Sequence, residues 1–171
     1  MKFALVEGGR REAEPGFSGK CPACDDAMIP KCGKLRVWHW SHLVARVCDH
    51  WWESETEWHR TWKNQFPADR QEVVQWAENG EKHVADVKTE SGVVIEFQHS
   101  NLRPEERDAR ETFYQNMVWV VDGLRRKTDR SRFFASLTVA TVINLKPLTF
   151  LLRSNENALL REWAGSRVPV F

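Results

Sequence analysis

The chain has 171 residues, enough for one well-buried domain or for a domain with a small appended module. Lys and Arg total 25 against 24 Asp and Glu, so no global basic field announces a nucleic-acid partner and any such surface must be local. No run approaches the roughly eighteen apolar residues of a membrane span, and "MKFALVEGGRREAEPG" turns charged too early for a secretory signal, so a cytoplasmic protein with no membrane partner is expected.

Residues 1–50 read as a β module. All four cysteines, Cys21, Cys24, Cys32 and Cys48, lie in the first third of the chain, two of them as C-P-A-C. In a reducing cytosol such clustering favours a metal over disulfides, and structural zinc is the natural ion. The stretch "CPACDDAMIPKCGKLRVWHWSH" also offers His39 and His42. A hairpin with its tip at Gly33-Lys34 would carry Cys32 roughly 25 Å from Cys24, at about 3.3 Å per residue, and would return His42 to the side of Cys24. The expected ligands are Cys21, Cys24 and Cys48, with either His42 or Cys32 as the fourth.

Seven of the nine tryptophans fall between Trp38 and Trp76. In "SETEWHRTWKNQF", Trp58, Trp62 and Phe66 recur at i, i+4 and i+8, the buried stripe of an amphipathic helix. Trp38, Trp40, Trp51 and Trp52 have no such period and are as well suited to stacking on unpaired bases as to packing. A second stripe of Glu55, His59 and Lys63 lies one residue round, bordering the buried face, where either a site or an exposed ion-pair ladder could sit. Ser54-x-x-Glu57 fits a capping box, which accounts for Glu57 without chemistry and makes Glu55 the stronger candidate.

Downstream, "QEVVQWAE" is followed by the hairpin signal Asn79-Gly80, then by "EKHVADVK", a turn around "ESG", and "VVIEFQHS". "RPEERDARETFYQN" reads as a helix with Pro104 at its first position, and "MVWVVDG" as a buried strand. The order helix, three-strand meander, helix, strand predicts an α/β sandwich core with a mixed sheet over residues 51–125. Residues 126–171 form an extension whose elements cannot be ordered from sequence beyond a closing helix at "ENALLREW".

A three-residue loop of Glu90, Ser91 and Gly92 would pair Lys88 with Val94 and so set Asp86 opposite Glu96. Opposed like charges destabilise a strand pair, and Gln98 follows on the same face. Two carboxylates and an amide make a poor core but a good cradle for a hard divalent cation such as magnesium, which takes oxygen ligands and keeps several waters.

The pattern Asp86, nine residues, Glu96-x-Gln98 on a hairpin resembles the PD-(D/E)XK nuclease core, with glutamine where that superfamily usually has lysine. More specifically, "CPAC", "HWSH", "ETEWHRTWK", "ADV" and "IEFQHS", in that order over roughly residues 17–122, resemble the competence protein CoiA-like nuclease family. The resemblance implies a restriction-endonuclease-like core with an N-terminal zinc-ribbon-like β module. Asp86 and Glu96 would bind Mg2+ or Mn2+ with the carbonyl of Phe97, and Gln98 would position the attacking water. Glu55, Glu57, His59 and Lys63 match the family's helix beside the metal. A glutamine can only hydrogen-bond where a lysine supplies charge, and Lys63 is the candidate for that displaced charge.

The implied reaction is metal-assisted phosphodiester hydrolysis in DNA. Phosphate contacts are expected from Arg103, Arg107 and Arg110 on the second helix, and from Arg125, Arg126 and Lys127 in "LRRKTDRSR". Two alternatives stand beside the nuclease: a DNA-binding protein of the same fold with a degenerate site, and a factor acting through recombination or defence proteins.

Overall fold

The computed structural model describes residues 1–44, 48–152 and 157–171. The fold is mixed α/β with several sheets and, among the described residues, four α-helices. It divides into two compact units, Met1–Phe97 and Gln98–Phe171. None of the described helices is long and apolar enough to cross a membrane.

The first unit opens with strands β1 (Phe3–Val6), β2 (Gly9–Glu12), β3 (Gly19–Lys20), β4 (Ala27–Lys31) and β5 (His39–His42), which form one antiparallel sheet in the order β2-β1-β3-β4-β5. Its core gathers Ala4, Cys21, Met28 and Trp40, with Met28 and Trp40 each 1% exposed. The Trp40 indole N–H, which would be costly to bury unpaired, donates to the Arg11 carbonyl at 2.9 Å. The β4–β5 register pairs Met28 with His42 and Lys31 with His39, so Cys32 lies beyond the paired residues, towards the loop.

Helix α1 (Glu57–Lys63) follows. Thr56 is its N-cap, accepting the His59 amide at 3.2 Å, so the box expected from Ser54 and Glu57 does not form. Thr caps as Ser does, and a start at Thr56 makes Glu57 the first helical residue, exposed to solvent. A 3-10 turn at Ala68–Arg70 leads into β6 (Gln71–Trp76), β7 (Lys82–Lys88) and β8 (Val94–Gln98). These form an antiparallel meander. Gly92, at φ +81°, turns the loop between β7 and β8, and the flanking register is the expected one, Lys88 opposite Val94.

The chain enters its second unit at Gln98, whose carbonyl accepts the Asp122 amide at 2.9 Å. Helix α2 (Pro104–Tyr114) starts with Pro104, as its preset φ favours, and ends before β9 (Met117–Val121). Trp119 on β9 makes a parallel bridge with Val170. Glu111 of α2 is buried and accepts from the Trp119 indole at 3.1 Å, the Ser166 hydroxyl at 2.7 Å and the Arg167 amide at 3.0 Å. The stretch left unordered by sequence resolves into α3 (Asp129–Thr138), a hairpin of β10 (Thr141–Leu145) and β11 (Leu148–Leu151), and the closing helix α4 (Ala158–Trp163), capped by Asn157.

Candidate functional site

Helix α1 buries its charged stripe more deeply than its aromatic one. The Lys63 side chain is 3% exposed, whereas Trp62 is 43% exposed. Trp58, Trp62 and Phe66 surround the Phe97 ring at centroid distances of 6.0 to 6.4 Å, but they form the rim of the packing and not its centre.

Lys63 Nζ lies 2.8 Å from Glu55 Oε1 and 2.8 Å from Glu72 Oε1. Glu55 precedes the helix and reaches back to it, also pairing with Arg60. Glu72, buried on β6, accepts the backbone amides of Lys2 at 2.7 Å and Phe3 at 3.0 Å. Its φ of +46° is unusual for a side-chain-bearing residue, and the amides and Lys63 hold it there. Burial alone would lower the pKa of Lys63, but the carboxylates of Glu72, Asp86 and Glu55 outweigh it and raise the pKa above the ordinary lysine value. Glu72 shows the converse: burial opposes its charge, yet Lys63, the chain's N-terminal ammonium and the Lys2 amide hold it well below the carboxylate range.

On β7 and β8 the ladder is regular at Lys88–Val94 and Val87–Ile95, then changes character. Beyond these pairs, backbone amides of both strands donate to side-chain carboxylates. The Phe97 N–H donates to Asp86 Oδ2 at 3.0 Å and the Asp86 N–H to Glu96 Oε1 at 3.2 Å. The carboxylates of Asp86 and Glu96 are therefore turned inward at the strand junction, with Glu96 4% exposed.

His59 completes the group, its Nε2 2.8 Å from Asp86 Oδ2. Asp86 Oδ2 is thus shared between the His59 ring and the Phe97 amide. Burial works against a charged His59, but Asp86 more than offsets it and raises the imidazole pKa. Asp86 is lowered: burial raises its pKa, and His59, Lys63 and the Phe97 amide reverse that. Gln98, at the end of β8 and 4% exposed, donates its amide to the Ser100 hydroxyl at 2.8 Å.

A separate centre forms around the cysteines. The ligand atoms of Cys21, Cys24, His42 and Cys48 all lie within 4.8 Å of one another, an arrangement that could bind a metal such as zinc. Cys24 Sγ is 3.3 Å from His42 Nε2 and Cys21 Sγ is 3.8 Å from Cys48 Sγ. His42 is thus the fourth member and Cys32 is not, because the β4–β5 register returns His42 beside Cys24. Among the described residues this is the one group of three or more Cys, His, Asp or Glu side chains so closely gathered; Asp86, Glu96 and their neighbours form no such group.

The cationic residues divide differently from expectation. Arg107 and Arg110 are 7% and 5% exposed; Arg107 bonds Asp108 and the Glu162 carbonyl, and Arg110 pairs with Glu106. Arg125 and Arg126 both pair with Glu162, and Arg126 also with Asp129. These four hold the second unit together and do not stand out as phosphate contacts, leaving Arg103 and Lys127 exposed. Glu72 was not legible as a site residue, since "QEVV" reads as an ordinary strand start and its partners Lys2 and Phe3 are some seventy positions away.

Compared with protein-family models, curated proteins and solved structures, the chain has no match.

Proposed function

We propose that the chain is a divalent-metal-dependent deoxyribonuclease with a restriction-endonuclease-like core, as its resemblance to the CoiA-like family implies. The observation that carries this reading is the strand junction where the carboxylates of Asp86 and Glu96 accept backbone amides, backed by half-buried His59 and buried Lys63. A sheet built for stability alone would fill these positions with apolar side chains.

Asp86, Glu96 and the carbonyl of Phe97 would hold the ion, which supplies Lewis acidity toward a phosphodiester and a more acidic bound water. Two carboxylates suit magnesium or manganese, since magnesium is commonly bound through one or two and completes its shell with water. Lys63, locked between Glu55 and Glu72, stays protonated and acts as a fixed positive charge behind Asp86, not as a base. Gln98, oriented by Ser100, would hydrogen-bond the attacking water.

The exposed indoles of Trp38, Trp52, Trp62 and Trp76 favour a second reading, in which the chain grips unpaired DNA without cutting it. Incubating the chain with labelled single-stranded, duplex and branched DNA in magnesium or manganese separates the two. Cleavage abolished by EDTA and by both Asp86→Ala and Glu96→Ala is the expected result. Retained binding with no cleavage of any DNA form in either metal would establish the second reading in its place.

A further inference from the structure

Strand β7 carries Asp86, and its first three residues are each tied to the segments that bear the Cys3His ligands. The Lys82 ammonium donates to the carbonyl of Ala23, which lies between Cys21 and Cys24. Asp49, next to Cys48, accepts the Val84 amide through Oδ2 at 2.8 Å, and its Oδ1 lies 2.8 Å from His83 Nδ1. The same carboxylate accepts the Trp51 amide at 3.0 Å, so it fastens its own loop and the strand at once. His83 is 1% exposed, approaches Glu81 at 3.0 Å through its other nitrogen, and is stacked by the Trp51 ring. Val74 and Val84 pack against the core that contains Cys21 and borders Cys24 and Cys48.

None of these side chains is needed to coordinate a metal, and none belongs to the Asp86 site. A buried carboxylate with three partners is costly to disturb, because removing it strands each donor. We infer that Asp49 and His83 are positioning residues that couple the Cys3His centre to β7, so that metal bound there fixes the strand on which Asp86 sits. Cys21, Cys24, His42 and Cys48 would hold the metal together, which would fix Cys48 in place. Asp49 moves with Cys48, and through Val84 and His83 it sets the strand two and three residues before Asp86. The coupling stands on these contacts alone; its consequence for DNA cleavage rests on the proposed nuclease function.

Hydrogen exchange on the full chain tests it, comparing zinc-loaded protein with protein stripped by a chelator and reading β7 against α2 of the other unit. Stripping is expected to speed exchange over residues 82–88 by about tenfold or more while α2 is unchanged. Asp49→Ala, loaded with Co2+, is expected to keep the visible spectrum of a tetrahedral thiolate site and still show the loosened β7. Asp49→Asn, which retains an acceptor for the Val84 amide, should recover part of the protection. Unchanged exchange in β7 after stripping overturns the inference, as does equal loosening of α2. Full β7 protection in metal-bound Asp49→Ala also overturns it. If Asp49→Ala does not fold, the wild-type comparison decides. A wild-type chain that never cleaves DNA removes the nuclease reading and leaves the exchange result to judge the coupling.

Discussion

Glu72 shows how much of this site depends on single residues far apart in sequence. It joins β6 to the amides of Lys2 and Phe3 and to Lys63. Breaking a buried pair by removing one partner leaves the other charge uncompensated, so Glu72→Gln should cost about 3 kcal/mol or more in urea unfolding. The sign of its pH dependence follows from its depressed pKa. The stabilisation is complete above the unfolded glutamate value and is lost as pH falls through the native one, so the wild type should weaken from about pH 5 downward and Glu72→Gln less steeply. Lys63, with its raised pKa, adds stability that is present at neutral pH and lost only at strongly alkaline pH. Asp86 and Glu96 stood out in the sequence because each sets a carboxylate among apolar strand residues, in "HVADV" and "VVIEF". Glu72 was not, because its defining feature is a backbone angle of +46° that no local pattern encodes.

At the scale of elements, periodicity located α1 but ranked its two faces wrongly. Trp58, Trp62 and Phe66 have the spacing of a core stripe, yet they gather around Phe97 with Trp62 still largely exposed, while Lys63 sits in the interior between Glu55 and Glu72. Trp62→Ala should therefore cost well under the roughly 3–5 kcal/mol typical of a buried aromatic, and Lys63→Ala should cost more than Trp62→Ala, as thermal unfolding of the two variants will measure. The β7–β8 register could be read from its loop, since a three-residue connection leaves few alternatives and Gly92 supplies the positive φ. Gly92→Ala should lower stability by about 1 kcal/mol or more, for strain at that angle. The elements after Val121 resisted ordering because "FFASLTVATVINL" interleaves apolar residues with Ser, Thr and Asn and has no Gly or Pro to mark a break, and only the structure divides it between a helix and a strand.

At the scale of the molecule, a division at Phe97 places the Cys3His centre and the carboxylate junction within one unit. The cysteine spacing suggested a metal and left the fourth ligand open between His42 and Cys32, and the β4–β5 register of the structure sets His42 in the group. Cys32→Ser should accordingly keep full zinc stoichiometry, whereas His42→Ala should weaken zinc by more than about a hundredfold in competition with a chelator. The most direct measurement is the rate of DNA cleavage against magnesium concentration for the wild type, Asp86→Asn and Glu96→Gln, each checked for folding. Metal-dependent nuclease function predicts a wild-type rate that rises with magnesium and saturates, and variants slower by roughly a hundredfold or more. Cleavage that ignores magnesium, or that persists at the wild-type rate in either variant, would contradict it.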